Sequence, residues 1–143
     1  MEVTQLSVFL ENKPGHLERI LEILTDENVN ILTLTIAETS DFGVLRMLVN
    51  DTDRAVKALR DHHFTCSQTE VLVIGLEDRP GALYRALRSF SRRGLNIEYM
   101  YASNEKRDDL AMMIFRFEDP VQARAALAAE GYRTLTREEI LKG

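Results

Sequence analysis

Residues 5–31, QLSVFLENKPGHLERILEILTDENVNI, and residues 71–97, VLVIGLEDRPGALYRALRSFSRRGLNI, are one stretch of sequence written twice. Laid over one another without a gap at an offset of 66 (Pro14 to Pro80, 80 minus 14), they share ten residues in 27. These are Leu6/Leu72, Leu10/Leu76, Glu11/Glu77, Pro14/Pro80, Gly15/Gly81, Leu17/Leu83, Arg19/Arg85, Leu21/Leu87, Asn30/Asn96 and Ile31/Ile97. Average residue usage would give about two by chance. Amphipathic periodicity alone does not demand shared Pro-Gly and Asn-Ile pairs, so the chain is a duplication. Further on, residues 41–59 match residues 109–127 at an offset of 68, which places a two-residue insertion at about residues 104–107. Insertions belong in surface loops, so this segment is expected to be a turn. The join falls near residues 67–70, dividing the chain into modules 1–68 and 69–143.

Each copy opens with a strand, LSVFL or VLVIGL, and then a turn carrying Pro-Gly. Leu17, Ile20, Leu21 and Leu24 recur at helical spacing and are echoed by Leu83, Leu87 and Phe90, so a one-faced helix follows. Gly94 suits the left-handed residue after the second of these helices, and Asn28 takes its part in the first. In ILTLTIA, Leu32, Leu34 and Ile36 alternate with Thr33 and Thr35, the mark of a strand with one buried face. A third strand follows, GVLRMLV or LAMMIFRF. Asp51-Thr52 and Asp119-Pro120 then start a second helix, whose apolar side is Val56 and Leu59 or Ala123 and Leu127. A short strand around residues 64–67 or 132–135 closes each unit. The fold class is α+β: βαββαβ twice, the ferredoxin-like pattern of an antiparallel sheet with helices on one face. The unbroken apolar run VLVIGL, and Tyr99 and Tyr101 on the side of the sheet away from the helices, point to a second covered face in the second copy.

Composition narrows the function. Hydrophobic residues at 45% and charged ones at 29% describe a packed globular chain. A net charge of -5 with scattered Lys and Arg disfavours nucleic-acid binding, which needs clustered cations. The third strands lack the basic-Gly-aromatic pattern of RNA platforms. No apolar stretch is long enough to cross a bilayer and the first residues lack a signal core, so a cytoplasmic protein is expected. Cys66 is the only cysteine, leaving no disulfide and no paired-cysteine metal site. His62 and His63 diverge in direction, so no metal is expected there with Cys66. Asp108 and Asp109 read as a hairpin turn, and no nucleophile-base set is present. No catalytic residue and no cofactor is expected, and the chain is read as not an enzyme.

The motif that remains is a strand ending in an acid or amide, a basic residue, Pro, Gly, any residue and Leu, then a helix and an Asn-Ile pair. The second copy carries it as Asp78, Arg79, Pro80, Gly81, Ala82 and Leu83 with Asn96 and Ile97. The first carries it as Asn12, Lys13, Pro14, Gly15, His16 and Leu17 with Asn30 and Ile31. This resembles the ACT-domain family, and the two copies cover nearly the whole chain. The resemblance implies a free-standing regulatory sensor. Family members pair side by side and bind a small effector, commonly an amino acid, at the seam between modules, through the first loop and the start of the second strand. It also implies a homo-oligomer, expected to be a dimer, with a metabolic enzyme as a possible partner and neither nucleic acid nor membrane.

Physical chemistry agrees with that loop as a ligand site. Exposed N–H groups at a helix start suit a carboxylate, a side-chain oxygen of Asn12 or Asp78 accepts from an ammonium, and Gly15 and Gly81 allow close backbone approach. Two alternatives stay open. Asn12 and Asp78 could simply cap the helices, making this a ligand-free oligomerisation or protein-interaction module, and His16 could contact a ligand or sit exposed. Asn12 lacks the charge of Asp78, so the two sites are expected to differ.

Overall fold

The computed structural model describes residues 2–141, and the chain separates into two compact units, Thr4–Thr69 and Glu70–Gly143 with Met1–Val3. The first unit contains β1 (Val3–Glu11), α1 (His16–Asp26), β2 (Ile31–Glu38), β3 (Phe42–Val49) and α2 (Thr52–Asp61). β4 (Cys66–Glu77) runs through the expected join, so the short closing strand expected at residues 64–67 and the opening strand of the second copy are one continuous strand. The second unit continues with α3 (Ala82–Arg92), β5 (Ile97–Arg107), β6 (Leu110–Phe117), α4 (Pro120–Glu130), β7 (Arg133–Leu135) and a terminal α5 (Arg137–Leu141).

Both units have the same strand order. In the first, β1 lies between β3 and the start of β4, with β2 outermost beyond β3. In the second, β4 lies between β6 and β7, with β5 outermost. All of these described registers are antiparallel, which is the ferredoxin-like arrangement read from the duplication.

Local chemistry explains where the elements start and stop. The Asp51 side chain accepts from Arg54 N–H at 3.2 Å and that of Asp119 from Gln122 N–H at 3.1 Å, so α2 and α4 are conventionally capped, the latter with Pro120 in its first turn. After α1 and α3, Asn28 (φ 57°) and Gly94 (φ 73°) take equivalent left-handed positions, as expected. Asp108 (φ 52°) and Asp109 (φ 63°) form a two-residue turn between Arg107 and Leu110, with the two positive φ values that a hairpin of this twist requires. The insertion itself is not in that turn. It lies in β5, where the register shifts between Ala102 and Lys106, so the extra residues are absorbed as a bulge.

Alternate residues of the inner strands carry each core. Leu6 and Val8 of β1 and Leu45 and Met47 of β3 meet Ile20, Ile23 and Leu24 of α1 and Val56 and Leu59 of α2. Ile23 takes the place expected for Leu21, which is only half-buried. In the second unit Leu72, Ile74 and Leu76 face Phe90, Phe115, Phe117 and Leu127. Phe90 makes edge-to-face contacts with Phe115, Phe117 and Tyr132 at 5.8, 5.6 and 5.7 Å between centroids. Val71 and Val73, on the opposite face of β4, are buried as well, so the unbroken apolar run has two covered faces.

The expected buried row of β2 is a correction. Leu34 and Ile36 pair across the ladder with Met47 and Leu45 and so share the helix-side face, but they are 44% and 40% exposed. β2 is the edge strand, so its row lies at the rim of the core, while Thr33 on the other face is only 7% exposed. Phe90→Ala should therefore cost about 3–5 kcal/mol in urea denaturation. Leu34→Ala, at the rim, should cost less than about 1 kcal/mol in the same measurement.

Candidate functional site

The Pro-Gly segments are type II turns built identically twice. Gly15 (φ 90°, ψ -18°) and Gly81 (φ 86°, ψ -10°) occupy the third position, which demands positive φ, and proline precedes each. His16 N–H donates to the Lys13 carbonyl at 3.4 Å and Ala82 N–H to that of Arg79 at 3.2 Å. In both copies the glycine is also the residue before the helix, its carbonyl accepting at 2.9 Å from Arg19 or Arg85 N–H. Neither α1 nor α3 has a side-chain cap bond.

Asn12 and Asp78 therefore do not cap the helices; they tie the turn to the neighbouring hairpin. Asn12 Nδ2 donates to the Thr39 and Ser40 carbonyls at 3.2 and 3.4 Å and lies 3.5 Å from Glu38 Oε2. In the second copy Lys106 donates to the Asp78 carboxylate. The ladder registers Glu38 with Gly43 and Lys106 with Ala111, so Glu38 and Lys106 are equivalent residues of the repeat. The same tether thus exists twice with donor and acceptor exchanged. The hydrogen bond and charge of Asp78 hold the Lys106 ammonium above the usual lysine value. Behind the turns, Lys13 pairs with Glu11 at 3.1 Å and Arg79 with Glu77 at 2.6 Å, and the Lys13 hydrogen bond and charge keep the Glu11 carboxyl below its usual value.

Each turn borders a groove within its own unit. In the first copy the groove, about 600 Å³, lies between the end of β1, the start of β3 and residues 63–65 after α2, and is walled by Phe9, Phe42, Phe64 and two histidines. His16 is not simply exposed. It is half-buried, its Nδ1 accepts from Glu11 N–H at 3.2 Å, and its ring stands edge-on to Phe64 at 6.3 Å. In the second copy the groove is about 390 Å³ and is lined by Gly75, Arg79, Arg85, Gly131, Tyr132 and Arg133 among others. At offsets of 66 and 68 these walls correspond: Phe9 to Gly75, His16 to Ala82, His63 to Gly131, Phe64 to Tyr132 and Thr65 to Arg133. The other wall is signalled in the sequence by the second offset, at which residues 63–65 correspond to residues 131–133.

The Asn-Ile pairs do not join these turns within a unit. α1 has 11 residues, so Asn30 lies about 16 Å along the helix direction from Gly15, at the opposite end of the module. There Asn30 N–H donates to Asn50 Oδ1 at 2.9 Å, and Asn96 Nδ2 donates to Glu118 Oε2 at 3.1 Å, an equivalent clasp between the end of the first helix and the end of the third strand. Ile31, Ile97, Leu17 and Leu83 are partly buried and pack on the two cores. Pro14 and Pro80 set the turns, and Lys13 and Arg79 present their charges on the same side as the neighbouring glutamates.

A family model described as an ACT domain pair matches residues 1–142. This chain belongs to the ACT domain pair family. The crystal structure of protein BT0572 from Bacteroides thetaiotaomicron is 38% identical, covers 100% of this chain and 98% of its own, and superposes with a TM-score of 0.92. The ligand-free regulatory subunit of aspartate kinase from Thermus thermophilus is 13% identical with a TM-score of 0.64, covering 90% of this chain and 89% of that one. Its counterpart from Thermus flavus, also 13% identical, has a TM-score of 0.66 and covers 90% of each chain. At that identity the likeness is one of fold. A comparison with curated protein sequences finds no match. ACT modules are regulatory and not catalytic, and no helix among the described residues is long and apolar enough to cross a membrane.

The exchanged tether gives a direct test. Lys106→Glu places two carboxylates together and should speed amide hydrogen exchange at Arg79, Gly81 and Ala82 relative to wild type. Adding Asp78→Asn recreates the pair of the first copy and should restore slow exchange; unchanged exchange in the single variant would contradict the tether.

Proposed function

We propose that this ACT domain pair is an amino-acid-responsive regulator whose effector is held at the Pro-Gly turns, Asn12 to Leu17 and Asp78 to Leu83, of modules 1–68 and 69–143. The observation that carries the reading is the pair of uncapped helix starts. α2 and α4 have their first N–H groups answered by Asp51 and Asp119, whereas α1 and α3 begin at bare glycines with no side-chain cap. Beyond the N–H that closes each turn, N–H groups with no side-chain cap at the positive end of a helix dipole suit a carboxylate, and a glycine without Cβ lets it approach. The regulatory subunits of aspartate kinase that share the fold support a metabolic enzyme as the partner regulated, and the family resemblance supports a homodimer. Asn30, Ile31, Asn96 and Ile97 act in this reading by holding the module ends and not by touching the effector at the turn of their own unit.

A second reading, a ligand-free interaction module, is favoured by one fact: Asn12 and Asp78 already have partners in their own hairpins. An ammonium would have to compete with Lys106 for Asp78.

Thermal unfolding of the whole chain with each of the twenty amino acids at millimolar concentration separates the two. The sensor reading expects a raised Tm with one or two of them, because a ligand bound only by the folded state stabilises by mass action. Gly81→Ala, whose Cβ would fall 2.7 Å from Arg85 Nη1, should reduce that response, and a flat response of the wild type across all twenty favours the interaction module.

A further inference from the structure

We propose that the groove of the second copy is a binding site for a small anion, a carboxylate or phosphate group carried on a metabolite, with Arg85 as its receptor, and that the first copy lacks this site. The inference rests on the reading of the Gly81 turn as a ligand site, since Arg79 and Ala82 of that turn line the groove, and it adds one side chain behind the turn.

The charges lining the groove are matched except for one. Glu77 is paired with Arg79 at 2.6 Å, Glu130 with Arg93 at 2.8 Å, and Arg133 with Asp108 and Glu139. Arg85 has no side-chain partner among the described residues, although its guanidinium borders the groove and lies over the Gly81 turn, with Nη1 2.7 Å from where a Cβ at that glycine would be.

The repeat shows where the two copies differ. Arg19 and Arg85 are one of the ten identical pairs, and Arg19 is paired with Glu22 three residues on. At offset 66 the position of Glu22 is held by Arg88, so the second copy has the arginine without that partner. The first turns differ as well: α1 has Glu18 there, whereas α3 has no acidic residue in its first turn. A guanidinium over the uncapped positive end of a helix, with neither acid to offset it, is an uncompensated positive site. The neighbouring exchanges run the same way. Lys13 becomes Arg79 and Thr65 becomes Arg133, while Phe9, His16 and His63 become Gly75, Ala82 and Gly131. Planar guanidinium groups match carboxylate and phosphate oxygens in pairs, and Tyr132 and Leu110 supply a wall for an apolar portion.

The test is calorimetric titration of the full chain with inorganic phosphate and, separately, with succinate, at low and at physiological salt. Binding of at least one probe is expected, weakened by salt. The tighter arm identifies the group as phosphate or carboxylate. Arg85→Gln should weaken that binding about tenfold or more, the loss of a charge-assisted hydrogen bond. Arg88→Glu keeps Arg85 but restores the partner found in the first copy, and should weaken binding as well. Arg19→Gln should leave affinity unchanged. No binding of either probe to the wild type would overturn the proposal, as would affinity that survives both Arg85→Gln and Arg88→Glu. A wild-type Tm response to amino acids alongside either of these results would leave the sensor reading standing while this proposal fails.

Discussion

Gly15 and Gly81 hold φ near +90°, a conformation that costs an L side chain about 1–2 kcal/mol, and most of what distinguishes the two modules is arranged around those two residues. The proline before each fixes one corner of a type II turn and the glycine the other. β1 and β4 are thereby redirected into helices that return across the sheet. Because the turn residue is also the residue before the helix, no side chain is available there to answer the first N–H groups. The backbone geometry that makes the fold also creates the open helix start. A side chain at that position would strain the turn and crowd its approach together, so fold and candidate site share one constraint.

Around that fixed skeleton the two copies diverged in chemistry while keeping geometry. The tether between turn and hairpin survives with its polarity exchanged, Asn12 giving to the hairpin and Asp78 receiving from Lys106. The cores are filled by aliphatic residues in one copy and by the Phe90, Phe115, Phe117 and Tyr132 cluster in the other. The grooves follow the same division, one walled by aromatic rings and imidazoles and one by arginines. Duplication allows this, since one copy carries Arg19 with Glu22 while the other carries Arg85 with Arg88 at the matching position. Two modules of one fold can thus present two different surfaces to small molecules.

Much of the fold was legible because duplication printed the pattern twice. The Pro-Gly turns, the caps at Asp51 and Asp119, the left-handed Asn28 and the Asp108-Asp109 hairpin all depend on residues within a few positions, where local sterics decide. The burial of Leu34 and Ile36 was not legible, because alternation assigns faces and cannot say that β2 is outermost. The bulge in β5 was read as a turn for a similar reason: an insertion is visible in the alignment, but its absorption into a strand is set by the ladder. α5 went unread although Thr136 and Glu139 carry the reciprocal cap that announces it, Glu139 N–H donating to Thr136 Oγ1 at 3.2 Å and Thr136 N–H to Glu139 Oε1 at 3.1 Å. At the candidate site, the turns were legible and their partners were not, since Glu38 and Lys106 lie 26 and 28 residues away.

The regulatory reading depends on a ligand reaching the turns themselves. Amide chemical shifts of the isotope-labelled chain, followed by nuclear magnetic resonance during titration with the amino acid that stabilises it most, address this directly. The account predicts that the largest shifts fall on Gly81, Ala82 and Leu83 or on Gly15, His16 and Leu17. Shifts confined to the far module ends near Asn30 and Asn96, or none at any of these residues, would contradict it.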